Sequence, residues 1–251
     1  MTNTESIFGF WNPTENTLKR FQVFSRFPFF FKKRKPRNDV LAKDHTQLEL
    51  VICTLENEYI QSQCTFDLSK LLLSDWQPPI GGLGLAFFRP YPLFLPQYGV
   101  IPIYSTGHIA VAYLGVIDNL SEIREKLISY GVQFMNSKNN VAETLCYLLN
   151  NYLTYGQLSP VDAMQVMMKK LKGQFALMAL VTKGKWLMVG CRDYPLSVGR
   201  MRNDVTVYFC TDTKTLAQFS PAMSSVFGNP KPDIFCGTSS QFDMLSPNYS
   251  F

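Results

Sequence analysis

Six cysteines and two histidines are the residues of this chain best able to attack a substrate, carry a proton or hold a metal: Cys53, Cys64, Cys146, Cys191, Cys210 and Cys236, with His45 and His108. A thiol attacks as its thiolate, so it needs a base or a cation to activate it. None of the six forms a Cys-x-x-Cys pair, and most sit in apolar runs. The pattern reads as buried free thiols in a reducing compartment, and it speaks against a zinc site. A hydrolytic constellation would have to be drawn from Glu5, His108, Tyr113, Cys191, Arg192 and Asp193. Each of these has a plainer reading: Arg192-Asp193 as a turn or structural ion pair, His108 at the solvent end of a strand. A third chemistry is anion binding. Lys32, Lys33, Arg34, Lys35 and Arg37 follow the run Phe27-Pro28-Phe29-Phe30-Phe31 and form a candidate basic contact patch or nuclear-import signal. The plainer reading is a solvated loop between strands. The net charge of +5 is mild. No aromatic-interleaved basic groove or nucleic-acid motif accompanies it, so nucleic acid is not an expected partner.

The elements that must position these groups follow from periodicity and capping. Residues 47–55 read as a strand, and residues 62–73 as a strand and a short helix. Pro78-Pro79-Ile80-Gly81-Gly82 is a turn. Residues 83–100 are apolar but interrupted by Pro90, Pro92 and Pro96, so they read as part strand and part loop. Residues 109–119 form an apolar strand ending at a glycine turn. Asn119 opens a helix, with Glu122 completing a capping box, and Gly131 closes it. Between residues 141 and 155, Leu145, Leu148, Leu149, Tyr152 and Leu153 share one helical face. Ser159 caps a third helix with Pro160 in its first turn. Its stripe of Met164, Met167, Met168 and Leu171 reads as core rather than as a cofactor or partner surface. Residues 175–181 and 185–189 form a hairpin across Lys183-Gly184, and residues 205–210 a further strand. Strands, three helices and strands again make a layered α+β domain.

With 251 residues and 46% apolar composition, the chain suits one domain with an appended arm. The expected division is an N-terminal strand with a basic and aromatic loop or arm (1–40), a main domain (41–228) and an irregular tail (229–251) rich in Pro and Ser. Met1-Thr2-Asn3-Thr4-Glu5 has no secretory pattern, and no apolar run reaches the roughly 20 residues of a membrane span. A soluble intracellular protein is expected, cytoplasmic or nuclear through residues 32–37.

Residues 80–217 resemble the class II glutamine amidotransferase domain, nearest to that of glucosamine-6-phosphate synthase. The likeness is most specific over residues 107–217. The family's strand-turn reads His-Asn-Gly and then Ile-Ile-Glu-Asn. Here Tyr113-Leu114-Gly115 precedes Val116-Ile117-Asp118-Asn119. The family's Gly-x-x-His-Thr-Arg-Trp falls on Gly82 to Phe88, its arginine on Phe87, with Phe88 and Arg89 next. Its Phe-x-Ser-x-Thr-Asp-Thr-Glu aligns with Phe134 to Val141, the aspartate on Asn139 and the next position on Asn140. Thr211-Asp212 matches a Ser/Thr-Asp pair after a strand. The family's initial Cys-Gly-Ile-x-Gly is met by Glu5-Ser6-Ile7-Phe8-Gly9.

This resemblance implies a four-layer αββα sandwich of the N-terminal nucleophile hydrolase type. It implies that Glu5 stands for the nucleophile, and that Leu114 and Gly115 stand for the oxyanion hole. Phe87, Phe88, Arg89, Asn139 and Asn140 then mark the glutamine pocket. An N-terminal thiol whose own amine is the base has no equivalent in Glu5. A leucine cannot donate to an oxyanion, and losing one such donor costs about 100- to 1,000-fold in rate. The length leaves no room for the synthase's sugar-isomerising half. The expected function is a catalytically degenerate amidotransferase-like domain that binds a protein partner, a true amidotransferase or a second copy of itself, with no cofactor. The alternatives are a hydrolase with rewired chemistry and a regulatory protein using its basic arm on an acidic partner.

Overall fold

The computed structural model describes residues 6–11, 48–56, 58–65, 83–90, 103–135, 140–200, 207–212, 222–227, 233–238 and 242–244. Two antiparallel sheets carry the architecture. The first contains β1 (Ser6–Trp11), β2 (Leu48–Glu56), β3 (Tyr59–Thr65) and β4 (Leu83–Pro90). It is completed by β9 (Pro195–Arg200), β10 (Val207–Cys210) and β11 (Ala222–Phe227), in the order β11-β9-β10-β1-β4-β2-β3. The second contains β5 (Ile103–Ser105), β6 (Ile109–Ile117), β7 (Gly173–Val181) and β8 (Trp186–Arg192). With β12 (Asp233–Thr238) and β13 (Phe242–Met244) its order is β13-β12-β8-β7-β6-β5.

Both faces of the central strands β6, β7 and β8 of the second sheet are buried, which explains their unbroken apolar runs. Along β7, Ala176, Met178 and Leu180 enter the core between the sheets. Phe175, Leu177, Ala179 and Val181 enter a second core beneath the helices. Along β6, Ala110, Ala112 and Leu114 face the first sheet, while Ile109, Val111 and Tyr113 face the helices. A run such as Phe175 to Val181 is therefore a strand read from both sides.

Three helices cover the outer face of the second sheet: α1 (Leu120–Ser129), α2 (Val141–Thr154) and α3 (Pro160–Lys170). The methionine stripe of α3 is fully buried core, as expected. It packs on Gly190 of β8, where an added Cβ would lie 2.8 Å from the Met168 sulfur. Helix α3 starts as its sequence dictates, with the Ser159 hydroxyl accepting from the Asp162 N–H at 3.2 Å. The other face of the first sheet also carries buried side chains. Phe8, Phe10 and Tyr208 are each 2% exposed although they belong to neither core, and the Phe8 and Tyr208 rings lie 5.8 Å apart. The domain is the α+β sandwich with two central sheets that the resemblance implies.

Two local expectations give way to tertiary contacts. Asn119 precedes α1 but makes no side-chain cap. Its amide donates to the Lys170 carbonyl at 3.0 Å and accepts from the Lys172 N–H at 2.9 Å, tying the start of α1 to the end of α3. One amide cannot also satisfy the helix start. The segment 229–251 is not wholly irregular, because β12 pairs with β8 and β13 with β12.

Candidate functional site

Strand β1 lies at the middle of the first sheet, between β10 and β4. Ile7 is fully buried in the core between the sheets. Two residues on, Gly9 comes so near the second sheet that an added Cβ would sit 2.9 Å from the Met178 sulfur. Positions 7 and 9 therefore share the inner face. The two-residue period of a strand assigns Ser6, Phe8 and Phe10 to the other face. Ser6 is consequently turned away from the inter-sheet layer and is no substitute nucleophile there. The start of β1 is fixed by Thr211. Ile7 N–H donates to the Thr211 hydroxyl at 3.1 Å, and Thr211 N–H donates to the Ile7 carbonyl at 3.2 Å. Glu5 lies outside the described residues, as do Asn139, Lys32, Lys33, Arg34, Lys35 and Arg37.

Strand β4 brings Phe87 into the same layer, fully buried, paired with Ile7 on one side and Val51 on the other. The ladder runs without interruption from Leu48↔Pro90 to Leu55↔Leu83. No bulge interrupts the ladder between positions 87 and 89. Phe88 pairs with Ser6 and Leu50, and Arg89 with Glu49.

Strand β6 supplies Leu114 and Gly115. Leu114 is 6% exposed and belongs to the same inter-sheet core as Ile7 and Phe87. Gly115 has φ +110°, a conformation that L side chains rarely adopt. An added Cβ would lie 2.2 Å from the Gln174 carbonyl oxygen. The glycine is thus required by the β6–β7 ladder itself, whether or not its N–H faces a substrate. Asn140 caps α2, its side-chain oxygen accepting from the Glu143 N–H at 3.0 Å. It is 1% exposed, and its amide nitrogen is buried without a hydrogen-bond partner. Glu143, fully buried, accepts from the Met135 N–H at 2.6 Å and so anchors the approach to α2.

The remaining candidates are placed for structure. Burial raises the Cys53, Cys146 and Cys210 thiols from 9.0 to about 12, the opposite of what a nucleophile needs. Cys53 lies inside β2, opposite Ser62 and Leu85, and not at the head of a strand. Cys191 is fully buried in the inter-sheet core. Arg192 does not form the ion pair expected with its neighbour. Its guanidinium donates to the Leu171 carbonyl and, at 2.5 Å, to the Met168 carbonyl. Asp193 is exposed in the turn that follows, with φ +47°. His108 is exposed just before β6, its ring 6.3 Å from that of Tyr59. Tyr113 faces the helices. These residues form no common constellation. Among the described residues no group of acidic, His and Cys side chains could hold a metal ion. No helix among them is long and apolar enough to cross a membrane.

Beside this geometry stands a match to the protein family described as the glutamine amidotransferase domain, over residues 93–218. The chain belongs to that family. The amidotransferase domain is 32% identical over 148 residues to a glutamine–fructose-6-phosphate aminotransferase (isomerizing) of Bradyrhizobium diazoefficiens, covering 59% of this chain and 24% of that protein. The protein of the same name from Mesorhizobium japonicum is 32% identical over 150 residues, again 59% and 24%. The match thus spans about a quarter of the length of these curated relatives. The fold is shared with glutamine phosphoribosylpyrophosphate amidotransferase from B. subtilis, at TM-score 0.66 and 14% identity over 97% of this chain and 50% of that one. It is shared too with a structure described as the allosteric regulatory enzyme of purine biosynthesis, at TM-score 0.68 and 16% identity over 97% and 49%.

Within this amidotransferase domain, Ile7, Phe87 and Leu114 meet in one apolar layer. Sequence reasoning missed the clasp between Ile7 and Thr211, the unpaired Asn140 amide and the reach of Arg192. The first had a visible signal in Thr211-Asp212. The other two had none, since both depend on where distant backbone arrives.

Proposed function

We propose that this amidotransferase-like domain does not hydrolyse glutamine and acts by binding a protein partner. The observation that carries the reading is the burial of Phe87 and Leu114 in the core between the sheets. These two positions align with the family's carboxylate-holding arginine and oxyanion-stabilising asparagine. An arginine fork binds a carboxylate through paired hydrogen bonds, and a phenyl ring makes none. A leucine adds apolar contact where negative charge would develop. Glu5 stands in the sequence where the family's pattern has its cysteine.

Apolar side chains at these positions strengthen packing while removing glutamine recognition. Binding is the role that such a scaffold retains. The partner in this reading is a true amidotransferase or a second copy of the chain. An intracellular setting goes with it, supported by the free, buried thiols Cys53, Cys146, Cys191 and Cys210.

The test is an ammonia assay on the purified chain with millimolar glutamine. The expected result is no release above the blank. Saturable turnover would overturn the reading. Affinity capture from the native cell, followed by identification of the retained protein, tests the partner.

A further inference from the structure

On the outer surface, away from the inter-sheet layer, residues of the three helices line a cavity of about 110 Å³ that is open to solvent. Its apolar floor is Ile123, Leu127 and Leu148, each 5% exposed or less. Its rim carries Lys126 from α1, Asn151 and Tyr152 from α2, and Lys170 from the end of α3. Among the described residues no carboxylate lines it.

Lysines in the last turn of a helix have a plain role, complementing the negative end of the helix dipole. That role is already served at α3 by Lys169, which does not line the cavity. It also gives no reason for lysines of two different helices to line one cavity. Two ammonium groups lining one cavity can both be drawn to an anion placed between them. The Tyr130 hydroxyl beside Lys126 raises the pKa of that lysine, and burial raises that of the Tyr152 phenol. At neutral pH the first is therefore a cation and the second a hydrogen-bond donor.

The volume limits the ligand. Cofactor and drug-sized ligands occupy about 300–1,000 Å³. A cavity of about 110 Å³ admits one compact group. Donors arriving from three helices suit an anion with three or four acceptor oxygens better than a carboxylate with two. Lysine is a common point-charge binder of such groups. We propose that this cavity binds a phosphate group, either as free phosphate or at the end of a small phosphomonoester, between Lys126 and Lys170. The site is independent of the proposed loss of glutamine chemistry.

The test is calorimetric titration of the whole chain with inorganic phosphate and, separately, phenyl phosphate, at constant ionic strength set by chloride. Variants Lys126→Gln, Lys170→Gln and Lys169→Gln are compared, each first checked for unchanged melting without phosphate. The expected result is saturable binding by the wild type, weakened tenfold or more in Lys126→Gln and Lys170→Gln and unchanged in Lys169→Gln. Tighter binding of phenyl phosphate identifies the ester as the better ligand; equal binding identifies the free ion. Absence of saturable binding to either probe overturns the proposal. So does an equal loss in Lys169→Gln, which would reduce the effect to general surface charge.

Discussion

Arg192, the last residue of β8, donates to the Met168 carbonyl of α3 at 2.5 Å and to the Leu171 carbonyl just beyond it. The final carbonyls of a helix have no partner within the helix. Arg192 therefore closes α3 with a charged donor while its own strand pairs with β7 and β12. A residue that the sequence offers as a catalytic cation is a clamp between the helix layer and the sheet.

Replacing Arg192 with Ala should lower stability by roughly 2 kcal/mol, the range for hydrogen bonds to charged groups. Urea denaturation followed by circular dichroism measures it. Arg192→Met should be milder, because its longer chain keeps apolar contact that alanine gives up, although both leave the Met168 and Leu171 carbonyls without this donor. An Arg192→Ala protein as stable as wild type would remove the clamp.

Gly115→Ala should be poorly tolerated. A positive φ for a non-glycine residue costs on the order of 1–3 kcal/mol, and the new methyl would start 2.2 Å from the Gln174 carbonyl oxygen. The β6–β7 ladder must then shift. The expected outcome is a melting temperature lower by several degrees, read by calorimetry. The same change at Gly9 should be milder, since the nearest atom is the Met178 sulfur on a flexible side chain.

Leu114→Asn returns the amide typical of the family's oxyanion position. On the proposed reading it should release no ammonia from glutamine, since Glu5 supplies no thiol. It should also destabilise the domain by about 1–3 kcal/mol, the penalty for an unsatisfied buried polar group. Paired ammonia and denaturation assays check both halves. Activity appearing in this variant would show that a nucleophile is in place.

The buried thiols carry a pH dependence. Cys53, Cys146 and Cys210 hold their protons to about pH 12 when folded, against 9.0 for the ordinary thiol. The folded state binds these protons more tightly, so the contribution is complete below about pH 9 and is lost as pH rises toward 12. Urea midpoints measured from pH 8 to 10.5 should therefore fall, and Cys210→Ala should flatten the decline. In the native protein at pH 8 these three thiols should resist iodoacetamide and label only after unfolding. Rapid native labelling of any of them would contradict the burial.

Much of the fold is written in short-range pattern. Ser159 and Pro160 start α3, and Gly184, at φ +82°, turns β7 into β8. The unbroken apolar run of β7 marks a strand buried on both faces. These signals are legible because a cap, a turn or a strand period depends on residues a few positions apart. The Leu114, Gly115 and Phe87 correspondences rest on residue type alone and belong to the proposed function.

What tertiary structure alone decided is where each polar group finds its partner. The Asn119 amide serves Lys170 and Lys172, some 50 residues on, and so cannot cap its own helix. Pro230 and Pro232 suggest an irregular tail, yet β12 begins at Asp233, just beyond them, and gains its ladder from β8. Ile7, Phe87 and Leu114 come from three distant strands and meet only because two sheets stack face to face. Hydrogen bonds and packing are satisfied by whichever atoms the folded chain brings near, and that neighbourhood is not a property of any local stretch of sequence.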